Sequence, residues 1–332
     1  MTAFRVIPAG EPLRIALVGA GSMGRAWLET IRASPDARLA CVVDLRPEVV
    51  ADLADAGVPV FGSLGDAVAA VPVDAVVDVT VPEAHLPVTL EALALGLPVL
   101  GEKPAAHSLA AARTLAAAAR EHGELFMVSQ SRRYDGRLRG LAAALPALGE
   151  VGIVSTRFAR ASRFGGFRER MAHPLLLDMA IHAFDAARFL IGADPVAVSC
   201  EEFNPAWSWY DGAAAATATF EFAGGARYHY AGSWCSPGRE TSWNGEWTVS
   251  AADGGAEWDG DHPAVLHPGG PCPVVAGPEG TAGALAAFVD ALRTGVPPAG
   301  EIADNVKTLA MVFGAIESAE TGRRLAITDV SS

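Results

Sequence analysis

Short apolar runs alternate with stretches of helical periodicity through the first part of the chain. The runs are Leu13–Val18, Arg38–Val43, Ala75–Val81, Leu97–Gly101 and Leu125–Ser129. Apolar strands separated by helices are the pattern of parallel βαβ units, whose strands are covered on both faces. The pattern predicts one doubly wound parallel sheet over residues 1–129. Beyond Ser129 the runs follow one another closely, at Gly152–Ala161, Val196–Phe203, Ala214–Ala223, Arg227–Trp234 and Trp247–Ala251. This spacing predicts a large antiparallel sheet, with Gly224-Gly225 as a hairpin turn because glycine accepts the positive φ that tight hairpins require. Helices are expected at Gly283–Thr294 and Ala303–Thr321, the first stopped by Gly295 and Pro297-Pro298. The expected architecture is α/β, a doubly wound parallel-sheet domain over 1–129 followed by an α+β domain over 130–332.

Length agrees with two cores, since 332 residues exceed one ordinary domain. No uninterrupted apolar stretch of about 18 residues appears, so no membrane span is expected. Met1 to Pro12 carries no run of signal-peptide length and reads as a short leader onto the first strand, which suggests a cytoplasmic protein. Lys plus Arg total 25 against 38 for Asp plus Glu, a formal charge of -13. That balance argues against nucleic-acid or anionic-membrane partners, and any anionic ligand must be held locally. Cys41, Cys200, Cys235 and Cys272 are widely separated, so neither a metal site nor a disulfide framework is expected.

Gly19-Ala20-Gly21-Ser22-Met23-Gly24 follows the first apolar run and opens a helix near Met23. In such a turn the first glycine bends the chain, the second lets backbone N–H groups approach a pyrophosphate, and the third lets helix and strand pack closely. The helix N-terminus then faces the negative charge. Asp44 stands 20 residues after Gly24, at the end of the next apolar run. An acid there accepts from a ribose diol and repels a 2′-phosphate, favouring NAD over NADP, although Arg46 offers a phosphate partner and leaves NADP open.

In open α/β sheets, ligands lie outside the carboxyl ends of the strands. Two further ends carry chemistry: Thr80-Val81-Pro82 with His85, and Gly101-Glu102-Lys103-Pro104. Thr80, Pro82, His85, Glu102 and Lys103 are therefore candidates for the nicotinamide end of the groove. Lys103 is suited to donate to a substrate oxygen, and His85 either contacts a ligand or packs near a helix start.

His173 to Leu190 reads as one helix, apolar almost all round, with Pro174 near its first turn. Asp178, His182 and Asp185 fall at i, i+4 and i+7 and so share a face. Ionisable groups on a buried face cost free energy unless partnered, which points to a site. His182 suits a proton-transfer role, because imidazole titrates near neutrality, and Asp178 suits orientation of His182 or of substrate. Asp185 and Arg188 suit structural bonds.

The glycine turn, Thr80-Val81-Pro82 with His85, the Glu102-Lys103-Pro104 turn and the Asp178–His182 helix occur in this order. On these motifs, and on the ending Ser318-Ala319-Glu320-Thr321-Gly322-Arg323, the sequence resembles the Gfo/Idh/MocA family (glucose-fructose oxidoreductase, inositol 2-dehydrogenase, rhizopine catabolism) over nearly its whole length. The resemblance implies Lys103, Asp178 and His182 as the catalytic group, an NAD(P) cofactor and a sugar or cyclitol substrate. It also implies an open second-domain sheet that makes homo-oligomer contacts, in a dimer or tetramer. Pro174-Leu175-Leu176-Leu177 departs from the family's glycine-rich approach to the Asp. Arg132-Arg133-Tyr134 occupies the place of the family's basic-aromatic segment, making Arg133 and Tyr134 candidates for substrate binding. Trp207, Trp209, Tyr210, Trp234 and Trp243 are candidate pocket walls.

The expected reaction is hydride transfer between nicotinamide and a hydroxyl or carbonyl carbon. Two alternatives stay open: hydrolysis of a glycoside through transient oxidation on the same fold, and a dinucleotide-sensing regulator without catalysis.

Overall fold

A computed structural model describes residues 4–329. The chain divides into two compact units, one running to Ser131 and including Pro278–Val306, the other comprising Arg132–Gly277 and the chain from Lys307.

The first unit opens with β1 (Leu13–Val18), α1 (Ser22–Ala33), β2 (Ala37–Val43), α2 (Pro47–Asp55), β3 (Val60–Phe61) and α3 (Leu64–Ala70). It continues with β4 (Ala75–Asp78), α4 (Pro82–Ala94), β5 (Val99–Gly101), α5 (Leu109–His122) and β6 (Phe126–Val128). The six strands are parallel in the order β3-β2-β1-β4-β5-β6. The order reverses at β1, which places its glycine turn where an open sheet binds ligands. β4 is buried along its whole length, as a central parallel strand covered on both faces must be. α1 presents Gly24, Trp27, Leu28 and Ile31 to the core, one apolar stripe at helical spacing. Ser108 caps α5 by accepting from the Ala111 N–H, and Gly123 ends it at φ 65.

The second unit begins with α6 (Gly136–Ala144), β7 (Val151–Ala159) and α7 (Gly166–Glu169), and a π-helical stretch, Leu175–Ala180, runs into α8 (Ile181–Ile191). Then come β8 (Pro195–Phe203), β9 (Ala215–Phe222), β10 (Arg227–Ser233), β11 (Glu246–Ala251), β12 (Gly254–Trp258), β13 (Val265–His267) and β14 (Gly270–Pro271). The chain closes with α9 (Gly280–Thr294), which belongs to the first unit, then α10 (Ile302–Thr321) and β15 (Leu325–Ala326). The nine strands order as β14-β13-β12-β11-β7-β10-β9-β8-β15, antiparallel except for the β7–β10 pair. Gly224 and Gly225 make the expected hairpin between β9 and β10, at φ 87 and 101. Phe184 of α8 packs edge-on against Phe220 and Tyr230 of the sheet, at 4.7 and 5.3 Å between centroids.

The expected assignment of all of 130–332 to the second domain differs from the structure in one segment. Residues 278–306 pack with the first unit: Thr281 of α9 shares a hydroxyl hydrogen bond with Thr30 of α1 at 2.8 Å, and the Val128 N–H donates to the Gly300 carbonyl at 2.8 Å. These contacts join residues far apart in sequence, beyond the reach of periodicity.

Candidate functional site: a dinucleotide cradle and an ionisable helix

The glycine turn has the shape a pyrophosphate requires. Gly19 sits at φ 93, and a Cβ there would lie 2.8 Å from the Val79 carbonyl oxygen. A Cβ on Gly24 would lie 2.1 Å from the Gly19 carbonyl oxygen. Gly21, the N-cap of α1, has open space on its Cβ side and no acid in the turn that follows, so the positive end of the helix is uncancelled. Ser22 and Met23 are exposed at its mouth. The Asp44 carboxylate accepts from the backbone N–H groups of Ala20 and Arg46, each at 2.9 Å, which fixes it beside the glycine turn. A carboxylate oxygen has two lone pairs, so Asp44 retains acceptor capacity for a ribose diol. These residues fit a bound dinucleotide.

Apolar side chains stand exposed at the same sheet edge: Leu45, 87% exposed after β2, and Val81, 61% exposed after β4. Apolar surface held in water at a ligand edge suits the flat faces of a base or nicotinamide. Leu45 was missed from sequence, although its signal, an apolar residue directly after the acid, is visible.

At the neighbouring strand ends the side chains bond mainly to one another. Asp78 of β4 is fully buried and accepts from the Thr80 N–H and hydroxyl, at 3.1 and 2.7 Å, and from Thr89 at 3.3 Å. Burial pushes its carboxyl up, opposed by the nearby His85 imidazole and these hydrogen bonds. His85 is buried, with Nδ1 2.9 Å from the Pro104 carbonyl and Nε2 3.1 Å from the Thr80 carbonyl. Glu102 accepts from the Trp27 indole at 2.7 Å and the Lys103 N–H at 3.1 Å. In this geometry His85 and Glu102 brace the Lys103-Pro104 turn. Thr80, Pro82 and Lys103 are all partly exposed at these strand ends. The sequence signal for Asp78 was an acid inside the apolar run Ala75–Val81, and it went unused.

In the second unit, the helix expected over 173–190 is π-helical through Leu175–Ala180 before α8 begins. Wider turns of this kind interrupt the regular advance of side chains and recur at functional sites. Asp178 and His182, on either side of that junction, are partly exposed, whereas Asp185 is buried. The Asp178 carboxylate accepts from Arg168 Nε at 3.1 Å, a partner unforeseen from sequence despite the cluster Arg168-Glu169-Arg170. Asp185 receives both Arg133 donors and the Thr308 hydroxyl, and Arg188 donates to Thr308 at 2.9 Å. Arg133 thus forms a buried bidentate pair with Asp185. Tyr134 is partly buried, and burial pushes its hydroxyl up to about 12. Of the aromatic candidates, Trp234 meets Phe158, Phe164 and Trp243 edge-on at 5.1, 5.2 and 5.8 Å and donates to the Pro174 carbonyl at 3.3 Å. Trp207 donates to the Cys235 carbonyl, and Tyr210 to the Ser162 carbonyl.

Residues 13–130 match an oxidoreductase family with an NAD-binding Rossmann fold, and residues 144–257 match the GFO/IDH/MocA C-terminal domain. The chain belongs to the Gfo/Idh/MocA family of NAD-dependent oxidoreductases. Similar proteins include the uncharacterized protein y4oX from Sinorhizobium fredii, 28% identical over 95% of this chain and 96% of that one. Inositol 2-dehydrogenase from Rhizobium meliloti is 28% identical over 56% of this chain and 57% of its own length. The match thus spans little more than half of that relative. An oxidoreductase from Agrobacterium radiobacter, solved with NAD+, L-tartaric acid and magnesium, has a TM-score of 0.87 at 22% identity, covering 96% of this chain and 99% of that one. That likeness is one of fold. Among the described residues no helix is long and apolar enough to cross a membrane.

Proposed function

We propose that this protein is an NAD-dependent dehydrogenase or reductase acting on a CH–OH or carbonyl carbon of a sugar, cyclitol or sugar derivative. One contrast carries the reading. On a single apolar helix Asp185 and Arg188 are buried and bonded within the protein, whereas Asp178 and His182 remain partly open to solvent at the π-to-α junction. Ionisable groups kept accessible in an otherwise packed element are suited to chemistry.

NAD supplies the acceptor for two electrons and the carbon-bound hydrogen. The protein's part is the oxygen and its proton. As CH–OH becomes C=O, His182 takes the hydroxyl proton on an imidazole nitrogen, and in the reverse direction it returns that proton. Lys103 donates a hydrogen bond to the same oxygen and fixes its position, with the turn beneath it held by Glu102 and His85. Asp178, paired with Arg168, orients the imidazole or a substrate hydroxyl. Gly19, Gly21, Ser22, Met23 and Gly24 receive the pyrophosphate, and Asp44 receives the adenosine ribose, which favours NAD over NADP. The reading includes a cytoplasmic homo-oligomer.

Purified protein is incubated with NAD or NADP and a panel of cyclitols, aldoses and their keto forms while the reduced-nicotinamide band is followed. The expected result is turnover with NAD on one polyol class, with Lys103→Ala and His182→Asn lowering kcat roughly 100- to 10,000-fold while NADH still binds. Tight dinucleotide binding without turnover on any member would replace this reading with that of a sensor, and sugar release without net cofactor reduction would replace it with glycoside hydrolysis.

A further inference from the structure

Against a net charge of -13, the segment between residues 157 and 170 carries five arginines and one glutamate. Most of this positive charge is balanced close by. Arg157 pairs with Glu246 at 3.0 Å, Arg160 with Glu240 at 3.3 Å, and Arg168 with Asp178 at 3.1 Å. Among the second-unit guanidiniums without a carboxylate, which also include Arg139, Arg170 and Arg323, two have other side-chain partners. Arg163 lies over the Trp209 ring at 4.0 Å, and Arg132 donates to the Met179 sulfur at 3.5 Å, yet among the described residues no carboxylate stands within ion-pair distance of either.

The position of Arg132 gives this imbalance a meaning. Met179 directly follows Asp178, so Arg132 reaches the helix that carries the proposed reacting groups, and it is partly buried there. Burial pulls its guanidinium down to about 10, with Tyr230, Asp135 and Asp178 acting against that only at a distance. A desolvated cation with no carboxylate at hand is costly unless something anionic completes it. Its neighbour Arg133 shows the ordinary protein solution, a bidentate carboxylate. Arg163 is an exposed cation lying over the Trp209 ring, whose indole N–H has no acceptor among the described residues.

We propose that the substrate is an anionic polyol, bearing a carboxylate or a phosphate that Arg132 receives, with Arg163 as a second donor. This rests on the reading of the Asp178–His182 helix as the reacting face and narrows its substrate class. Guanidinium forks match both oxyanions, so the two sources share one chemistry.

The test is calorimetric titration of protein saturated with NADH. NADH occupies the dinucleotide site, so a phosphate cannot report from the N-terminus of α1, and alcohols form no product with it. Hexonates, hexitol phosphates and their parent hexitols are compared on wild type, Arg132→Leu, Arg132→Lys and Arg163→Ala. At least one charged ligand is expected to bind roughly tenfold or more tightly than its hexitol. Arg132→Leu should erase that preference, and Arg132→Lys and Arg163→Ala should keep part of it. Whether hexonate or phosphate wins names the source. The proposal is overturned if no charged ligand outbinds its hexitol, or if the preference survives in Arg132→Leu; should that variant not fold, full preference in both Arg132→Lys and Arg163→Ala overturns it. Charge preference without turnover in the oxidised-cofactor assay would remove the dehydrogenase reading and leave the anion site standing. Turnover on neutral polyols without charge preference would do the reverse.

Discussion

Arg133 donates to both carboxylate oxygens of Asp185, at 2.6 and 2.8 Å, with the two side chains 9% and 3% exposed. Thr308 donates to the same carboxylate and accepts from Arg188, so one acid anchors two buried arginines. Asp185→Ala should therefore lower stability by about 3–5 kcal/mol, because it leaves buried charge without its partner. Replacing both members, as Arg133→Met with Asp185→Leu, should recover most of that loss. Urea unfolding measures both. A loss below about 1 kcal/mol for the single variant would show that water already reaches the pair.

Two glycines of the turn, Gly21 and Gly24, should separate binding from folding. Gly24→Ala drives a methyl into the Gly19 carbonyl and should destabilise the first unit as well as abolish NADH binding. Gly21→Ala meets no protein atom within 4 Å, so its melting temperature should stay near wild type while NADH affinity falls roughly tenfold or more, since the methyl stands where the pyrophosphate approaches. Thermal melts beside NADH fluorescence titrations distinguish the two, and normal NADH affinity in Gly21→Ala would place the dinucleotide elsewhere.

What was legible from sequence follows the range of the interactions. The glycine turn, α1 and Asp44 are set by residues within one βαβ unit, and the hairpin at Gly224-Gly225 by two adjacent glycines, so local patterns suffice. Strands of two or three residues, such as β3 and β14, are too short to show a period. The π-helical turns at Leu175–Ala180 begin in Pro174-Leu175-Leu176-Leu177, an apolar run that reads equally well as α-helix. Which of Arg132 and Arg133 is committed internally depends on Asp185, 52 residues away from Arg133, and no local pattern reports that. For the same reason the return of residues 278–306 to the first unit was hidden.

Asp44 should govern the choice of dinucleotide. In the proposed reading its carboxylate faces the adenosine ribose, and Arg46 Nε lies 3.5 Å from that carboxylate. In Asp44→Ala the repulsion of a 2′-phosphate disappears and Arg46, 61% exposed, becomes available to it. NADH affinity should fall and NADPH affinity rise, moving their ratio roughly tenfold or more. Paired fluorescence titrations read the ratio, and an unchanged ratio would show that Asp44 only braces the glycine turn.

His173 should make the stability of the second unit depend on pH. Its Nδ1 lies 2.6 Å from Glu202, and its Nε2 3.6 Å from Glu320 of α10. The Glu202 hydrogen bond raises the imidazole above its ordinary value, against an opposing effect of burial. Because the folded value is raised, the proton binds more tightly in the folded chain. The resulting stability is fully present below the unfolded value of about 6.5 and disappears as pH rises through the raised folded value. The imidazole is only partly buried, so solvent screening holds the contribution to about 0.5–1 kcal/mol. Wild type should therefore melt above His173→Gln at pH 5–6, with the difference shrinking toward zero as pH climbs past the raised value. A difference that stays flat, or grows with pH, would mean that the neutral ring already makes the bond to Glu202 and that no proton is held there.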